Sequence, residues 1–289
     1  MQAIGYYISL PFLYGLSYLP FWLLYVFSDL TFFLVYYIIG YRKKVVHQNL
    51  ANAFPDRSPA ERLTIERQFY RFFCDLIFET VKCLTISERE LLRRVEFPED
   101  AAFYETARQQ RSIIAVMGHY GNWEMGRARY SLQGVYPNYA IYKPLSNPYF
   151  DRLFIGLRTR FDGRLYPMKQ AFKGMLANRA ELTTTTFISD QTPSPKHAYW
   201  TSFLHQPTPV YLGPEKIAQK LNLPVVFVNL HRKKRGYYRI DSELIVDDPQ
   251  AYKEGEITEL HLKKLEAVIE TDPAFWLWTH RRWKHKPPA

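Results

Sequence analysis

The sequence predicts an α/β fold with a largely central sheet, preceded by an apolar helical segment. From residue 112 onward, short apolar runs alternate with stretches of helical periodicity, which is the pattern of strands and helices layered around a sheet. Ahead of these, residues 4–41 carry a single charged side chain, Asp29. The chain has 289 residues, 47% of them hydrophobic, which is enough to bury one sizeable core.

Five apolar runs predict the strands, at residues 112–117, 139–142, 184–189, 224–231 and 237–245. The periodic stretches around them predict helices at 98–110, 123–133, 148–160, 171–180, 213–221 and 257–271. Upstream, Ser58, Pro59 and Glu61 form a capping signal that predicts a long amphipathic helix reaching about Leu84. We find no internal repeat and no linker rich in Gly and Ser, so residues 42–289 are predicted to form one domain.

Residues 1–41 are predicted to anchor the chain to a membrane. The run is long enough, since a spanning helix needs about 20 apolar residues. The basic residues 42–44 follow directly and predict, by the positive-inside bias, that the rest of the chain faces the cytoplasm. Pro11, Pro20 and Asp29 interrupt the run. One span, a hairpin and an in-plane helix all fit this pattern, and so does an apolar helix pair buried in a soluble core.

The formal net charge of +10 predicts an anionic partner, such as a phosphorylated lipid, an acidic carrier protein or nucleic acid. No nucleic-acid-binding motif is present and the apolar front end favours lipid, so a basic nucleic-acid-binding protein is kept as the non-enzymatic alternative. Cys74 and Cys83 fall in one apolar helical pattern and are expected to be buried thiols.

The stretch HYGNWE, residues 119–124, follows the first apolar run and opens a predicted helix. Chemically active residues collect at such turns, because the loop is exposed while its ends are held rigidly. We expect Glu124 to accept the proton on one ring nitrogen of His119, which leaves the other nitrogen to act as a general base. The alternative is a structural loop histidine, with Glu124 placed to suit the helix dipole.

A general base needs a nucleophile, and the chain offers no persuasive one. There is no G-x-S-x-G elbow, and neither cysteine lies near a histidine in the sequence. The nucleophile is therefore expected to be a hydroxyl of a bound substrate. No H-E-x-x-H motif or other ligand spacing occurs, so no metal site is predicted.

The segment GHYGNWE resembles the His-x4-acid motif of lysophospholipid and glycerolipid acyltransferases. Its surroundings resemble the late acyltransferases of lipid A biosynthesis, the lauroyl and myristoyl transferases. The resemblance covers about residues 40 to 287, and further blocks match in order: RKKVVHQNLANAFPDRS, YKPLSNPYFD, ISDQTP, LGPEKIA and the closing WLWTHRRWKHKPP.

This resemblance implies a glycerolipid-acyltransferase-like fold, with a central mixed sheet flanked by helices behind a membrane-anchoring segment. It implies transfer of a fatty acyl chain from an acyl-carrier-protein thioester, or from acyl-CoA, to a hydroxyl of a membrane lipid. A lipid A precursor is the expected acceptor, and a lyso-phospholipid or an aminolipid is the alternative. His119 would be the base and Glu124 its orienting partner, with no cofactor beyond the acyl donor. The implied location is the cytoplasmic face of a bacterial inner membrane.

A basic region between residues 142 and 179 predicts phosphate binding, because it holds eight basic residues against two acidic ones. Lys143, Arg158 and Arg160 are its candidates for contact with the substrate. Arg158 and Arg160 also match the second block of the family that the chain resembles, although a solvated helix face would show the same composition.

Four further residues complete the predicted substrate site. Asn122 lies within the HYGNWE turn, and Asp190 ends an apolar run, where it would either orient substrate or hold the neighbouring loop. Arg281 and Arg282 stand in a basic, aromatic terminus that would either reach phosphate at the membrane surface or pack the C-terminus onto the domain.

Overall fold

A mixed sheet of seven strands forms the centre of the molecule in the computed structural model, which describes residues 2–98, 102–195 and 198–287. The strands in chain order are β1 Val95–Glu96, β2 Ile113–Met117, β3 Asn138–Tyr142, β4 Arg164–Pro167, β5 Thr184–Ile188, β6 Tyr199–Phe203, β7 Gln206–Val210, β8 Val225–Lys234 and β9 Tyr237–Val246. Across the main sheet the order is β1-β9-β8-β2-β5-β3-β4, while β6 and β7 pair separately as a hairpin. Within the main sheet β8 and β9 are antiparallel and the other neighbours are parallel.

The helices surround this sheet. They are α1 Gln2–Tyr18, α2 Phe21–Phe33, α3 Lys43–Ala53, α4 Pro59–Lys82, α5 Glu88–Arg94, α6 Ala102–Arg108, α7 Trp123–Gln133, α8 Pro148–Arg158, α9 Ala171–Ala177, α10 Gly213–Leu221 and α11 Glu256–Thr271. A π-helix at Leu34–Ile39 continues α2. The predicted capping box is present, since the Ser58 side chain accepts from the Glu61 backbone and the Glu61 side chain accepts from the Ser58 backbone.

The central strand β2 explains how the core is divided. All five of its residues, IIAVM, are buried. Ile114 and Val116 belong to one apolar cluster, whereas Ile113 and Ala115 belong to another, because successive side chains of a strand point to opposite faces. The first cluster includes α4 and α11, and the second includes α7. Both faces of the sheet are therefore covered.

The α/β class and the central mixed sheet are confirmed. All five predicted strands are present, although β1, β4 and the β6–β7 hairpin were missed, because they are short or carry polar and proline residues that weaken the apolar signal. The helix predicted at 98–110 is observed as Ala102–Arg108, and residues 99–101 lie outside the described part of the chain.

The apolar front end is helical. In the described part of the chain, one helical stretch, Phe21–Ile39, is long and apolar enough to cross a membrane by length and composition. It packs along α4, and α1 also lies against α4. The boundary predicted at residue 41 falls in the short turn between the π-helix and α3. Membrane anchoring by residues 1–41 stays a prediction.

Candidate active site

His119 lies on a tight loop between the end of β2 and the start of α7. The side chain of Asn122 caps α7 by accepting the backbone N–H of Met125 at 3.0 Å. Gly121 has a φ of +62°, and a Cβ at this position would collide with the backbone carbonyl of Leu230. Glycine is thus required for both the turn and the close approach to β8.

The C-terminal segment holds this loop from outside. The Leu277 backbone N–H donates to the His119 carbonyl at 3.1 Å, and the Gly121 N–H donates to the Phe275 carbonyl at 3.0 Å. Trp276 and Trp278 are buried beneath. The closing WLWTH block therefore fixes the backbone around His119.

The imidazole of His119 is oriented by Asp190, which follows β5. Nδ1 of His119 lies 2.5 Å from Oδ1 of Asp190, while the His119 backbone N–H donates to Oδ2 at 2.8 Å. The indole N–H of Trp276 donates to the same Oδ2 at 2.8 Å. Because β2 and β5 are parallel neighbours, their carboxyl ends bring the two residues together at one edge of the sheet.

This contact determines the histidine's tautomer. Burial of the Asp190 side chain would raise its pKa, but attraction to the protonated form of His119 and the hydrogen bonds from His119 and Trp276 outweigh burial and hold that pKa well below its usual range. Asp190 is therefore an acceptor, so Nδ1 of His119 carries a proton and Nε2 is left as the basic atom. Nε2 of His119 lies 3.4 Å from Nε2 of Gln191.

Glu124 has a different partner from the one predicted. Its carboxylate accepts from Arg158, with Nε at 3.0 Å from Oε1 and Nη2 at 2.5 Å from the same oxygen, and Arg127 Nε lies 3.8 Å from Oε2. Burial would raise the pKa of Glu124, but Arg158 and Arg127 together with His119 lower it on balance. The predicted hydrogen bond from His119 to Glu124 is thus wrong, because in the first turn of α7 the Glu124 carboxylate faces Arg158 of α8, and Asp190 already occupies Nδ1 of His119.

A cavity of about 700 Å³ opens onto both groups. His119, Glu124 and Arg158 line it together with Trp123, whose ring lies 5.0 Å from the imidazole in an edge-on arrangement. Apolar side chains from both core clusters complete the lining, including Phe103, Ala115 and Tyr130 from one cluster and Ala171 and Phe187 from the other. The basic edge of His119 therefore faces a largely apolar space with a cationic patch beside it.

The amino-acid sequence is similar to those of known proteins. A family model described as bacterial lipid A biosynthesis acyltransferase matches residues 1–285. The chain belongs to this family. A lipid A biosynthesis lauroyltransferase of Escherichia coli (strain K12) is 24% identical over 253 residues, covering 85% of this chain and 80% of the relative. A lipid A biosynthesis acyltransferase of Haemophilus influenzae is 24% identical over 249 residues, covering 85% and 78%.

Membership in the lipid A acyltransferase family makes the chain an acyltransferase, as predicted, and sets aside the non-enzymatic alternative. The predicted substrate-binding residues are distributed unevenly around the cavity of this acyltransferase. Lys143 and Arg158 line it. Asp190 accepts hydrogen bonds from the backbone and the ring of His119, which matches the second of its two predicted roles, holding the neighbouring loop.

Three other predictions of substrate contact do not match the observed positions. Asn122 is fully buried and donates to Glu79 at 2.7 Å, so it is committed to the fold. Arg160 donates to the Cys83 and Ile86 carbonyls in the turn between α4 and α5. Arg282 is fully buried and donates to the Pro209 carbonyl at 2.8 Å, which is the packing alternative for this residue.

Arg281 remains exposed and lies outside the cavity lining, so its predicted phosphate contact stays a prediction. Three residues that sequence reasoning missed are Trp276, Arg127 and Gln191. Arg127 follows Glu124 by three residues on α7, a helical spacing that could have indicated the contact. Trp276 and Gln191 lie in two of the matching blocks, but their roles could not be predicted because their positions beside His119 depend on the packing of distant segments.

Proposed function

We propose that this acyltransferase moves a fatty acyl chain from a thioester, on acyl carrier protein or coenzyme A, to a hydroxyl of a lipid A precursor. The observation that carries the proposal is His119, whose Nδ1 is held by buried Asp190 at 2.5 Å and whose Nε2 edge opens into a largely apolar cavity. An acyl chain needs such an apolar space, and a hydroxyl nucleophile needs such a base.

In the proposed step, Nε2 of His119 takes the proton of the acceptor hydroxyl while the hydroxyl oxygen attacks the thioester carbonyl carbon. The tetrahedral intermediate then collapses, the carbon–sulfur bond breaks, and the leaving thiolate takes the proton from the imidazolium. Asp190 stabilises that imidazolium while it exists. A thioester is already activated, so positioning and deprotonation of the acceptor suffice without a covalent enzyme intermediate or a cofactor.

Arg158 is the proposed donor to the oxyanion. The backbone N–H groups of His119, Tyr120 and Gly121 already donate to protein acceptors, so they are committed elsewhere. Arg158 uses Nε and Nη2 for Glu124, which leaves Nη1 without a hydrogen-bond acceptor among the described residues. Glu124 thus acts through Arg158, as the group that positions the guanidinium beside the reacting carbonyl.

The lining of the cavity suits two lipid-like substrates. Apolar side chains on both faces of the sheet flank the polar centre, so an acyl donor and an acylated acceptor can both place hydrocarbon next to His119. Lys143 and Lys284 add positive charge to the lining, which suits the phosphates of a phosphopantetheine arm or of the acceptor.

We also propose that the enzyme works at the cytoplasmic face of a bacterial inner membrane. The apolar stretch Phe21–Ile39 supports membrane association, and the basic residues 42–44 suit the anionic lipids of the cytoplasmic leaflet. Acyl carrier protein is acidic in character, and the net charge of +10 favours a partner of that kind.

The test incubates purified protein with radiolabelled acyl-carrier-protein and coenzyme A thioesters, each with a lipid A precursor, a lyso-phospholipid and an aminolipid as acceptor. We expect transfer to the lipid A precursor, and His119→Gln to abolish it while leaving the melting temperature within a few degrees. His47→Gln is the matched control, since His47 lies on α3 and outside the cavity lining. Transfer only to another acceptor class would replace the proposed acceptor, and full activity in His119→Gln would remove the proposed base.

A further inference from the structure

The first two helices carry a continuous apolar surface on the side that faces away from the rest of the protein. Along α1, α2 and the π-helix, the exposed large apolar side chains include Ile8, Phe12, Trp22, Leu30, Phe33 and Ile38. Soluble proteins rarely expose an apolar face of this extent, so it requires a covering partner.

The opposite side of the same helices is buried against α4, with apolar side chains such as Leu24 and Phe32 and with hydrogen bonds to α4. Ser28 donates to Asp75 at 2.7 Å, and Tyr36 donates to Glu66 at 3.0 Å. The ammonium of Lys82 donates to the carbonyl of Ser17 at 2.8 Å. These contacts run along α4 from one end to the other, so α2 and the π-helix lie lengthwise beside it.

This packing is incompatible with a membrane-crossing orientation of Phe21–Ile39. A crossing helix would carry α4 into the bilayer with it, including the carboxylates of Asp75 and Glu79 and the exposed guanidinium of Arg71. Ionisable groups at the bilayer centre are strongly disfavoured. Asp29 adds to the difficulty, since it pairs with Arg235 on the β8–β9 turn at 2.6 Å.

We propose that α1, α2 and the π-helix lie flat in one leaflet and dock the whole domain on an anionic bilayer. Basic side chains border the apolar surface, with Lys43 and Lys44 at the start of α3 and Arg71 beside Phe32, at 5.2 Å from its ring centre. An apolar face with a cationic border is the signature of an interfacial helix that binds acidic headgroups.

The surface also adjoins the active site. Tyr6 on α1 contacts Tyr149 and Phe150 on α8, with ring centres 5.5 and 5.4 Å apart. The last residue of α8 is Arg158, which lines the cavity. A flat orientation therefore brings one side of the cavity close to the leaflet from which a lipid acceptor would come, and only this last point rests on the proposed function.

Depth measurements distinguish the two orientations. Single cysteines at Trp22, Leu30 and Ile38 would carry a fluorophore, and the native Cys74 and Cys83 are buried and should not react. The vesicles would contain phosphatidylethanolamine and phosphatidylglycerol, with a quencher attached near the headgroup or in the middle of the chain. We expect the shallow quencher to act best at all three positions. Positions 22 and 38 would be about 24 Å apart in depth if the helix crossed, so a deep position 30 flanked by shallow ones would overturn the proposal.

Binding itself is tested with the double variant Phe12→Lys/Trp22→Lys. We expect vesicle affinity to fall about tenfold or more, because two exposed apolar side chains are replaced by charges. Leu92→Lys is the matched control, since Leu92 is an exposed apolar residue on α5. Unchanged binding of the double variant, or quenching absent while the protein dimerises through this face, would overturn the proposal. In detergent, the double variant should transfer acyl chains at the wild-type rate. If wild type itself shows no transfer in detergent, the proposed activity fails, and the vesicle-binding result still decides the docking proposal.

Discussion

Replacing Asp190 by asparagine is expected to abolish most acyl transfer while leaving the fold nearly intact. Asp190 is 2% exposed and accepts three hydrogen bonds, one from the ring of His119, one from its backbone and one from Trp276. Two of these reach Oδ2 and one reaches Oδ1. An asparagine keeps the pair of bonds only if its oxygen takes the place of Oδ2, because the opposite orientation would set its N–H groups against two donors.

That orientation of the asparagine reverses the tautomer of His119. The side-chain NH₂ of the asparagine then faces Nδ1 of His119, which must become an acceptor, so the proton moves to Nε2, the atom proposed as the base. Loss of a positioned general base costs about 10²- to 10⁴-fold in rate, which corresponds to about 3–5 kcal/mol of barrier. Stability should fall much less, by about 1–3 kcal/mol, since two of the three hydrogen bonds survive and the third is replaced by a neutral bond of opposite direction.

Two measurements on Asp190→Asn check this reasoning. Release of free thiol from the acyl donor gives kcat and KM, and kcat is expected to carry the loss. Nitrogen NMR of histidine-labelled protein reports the tautomer, with the His119 signals assigned by comparison with His119→Gln. Asp272→Asn is the control, because the Tyr120 hydroxyl bonds to the backbone carbonyl of Asp272 and not to its carboxylate. Activity within tenfold of wild type, or an unchanged His119 tautomer, would refute the argument.

Three further outcomes are expected. Arg158→Lys should lower kcat by about tenfold or more and reduce the melting temperature, because lysine cannot reproduce the two-point contact with buried Glu124, and steady-state kinetics with calorimetry check both. Gly126→Ala should shift donor preference towards shorter acyl chains, since a Cβ there would lie 3.0 Å from Leu230 in the cavity wall, and competition between donors of different length measures the shift. Burial lowers the pKa of His261 to about 4, below its ordinary value of about 6.5. Above pH 6.5 the residue is neutral in both the folded and the unfolded chain, and its burial does not reduce the free energy of unfolding. As the pH falls from 6.5 towards 4, the unfolded chain takes up a proton that the folded chain does not, and the free energy of unfolding falls by about 3 kcal/mol in all. Urea unfolding at several pH values should therefore show a smaller fall in the free energy of unfolding between pH 6.5 and 4 in His261→Phe than in wild type.

The sequence pattern predicted where the chemistry lies but not which groups meet there. The buried run of β2 and the cap at Asn122 are local signals, and together they placed His119 correctly between a strand and a helix. The partnership with Asp190 is not local, because it joins residues 71 positions apart. It arises from β2 and β5 lying side by side, and strand order follows from how helices pack on both faces of the sheet, which hydrophobic periodicity does not encode.

Proximity in sequence also misled the prediction for Glu124. A carboxylate five residues after a histidine looks like its partner, but Glu124 lies in the first turn of α7, where the chain has already rotated its side chain towards α8. The basic residues show the same limit. Three arginines that the sequence does not distinguish have different environments. Arg158 lines the cavity, Arg160 donates to backbone carbonyls and Arg282 is fully buried.

The separation of the two carboxylates has a physical reason. Asp190 and Glu124 are both nearly fully buried, and each is kept ionised by its own cationic or hydrogen-bonding partner. If Glu124 paired with His119 instead, the Arg158 guanidinium would lose its anion at the edge of a largely apolar cavity, and a partly buried, unpaired cation is costly. In the observed arrangement Asp190 lies beside His119 and Glu124 beside Arg158, so the imidazolium that forms when His119 takes a proton and the guanidinium each have an adjacent negative charge. His119 and Glu124 therefore belong to two separate pairs, His119 with Asp190 and Glu124 with Arg158, and His119 and Arg158 are the members that face the cavity.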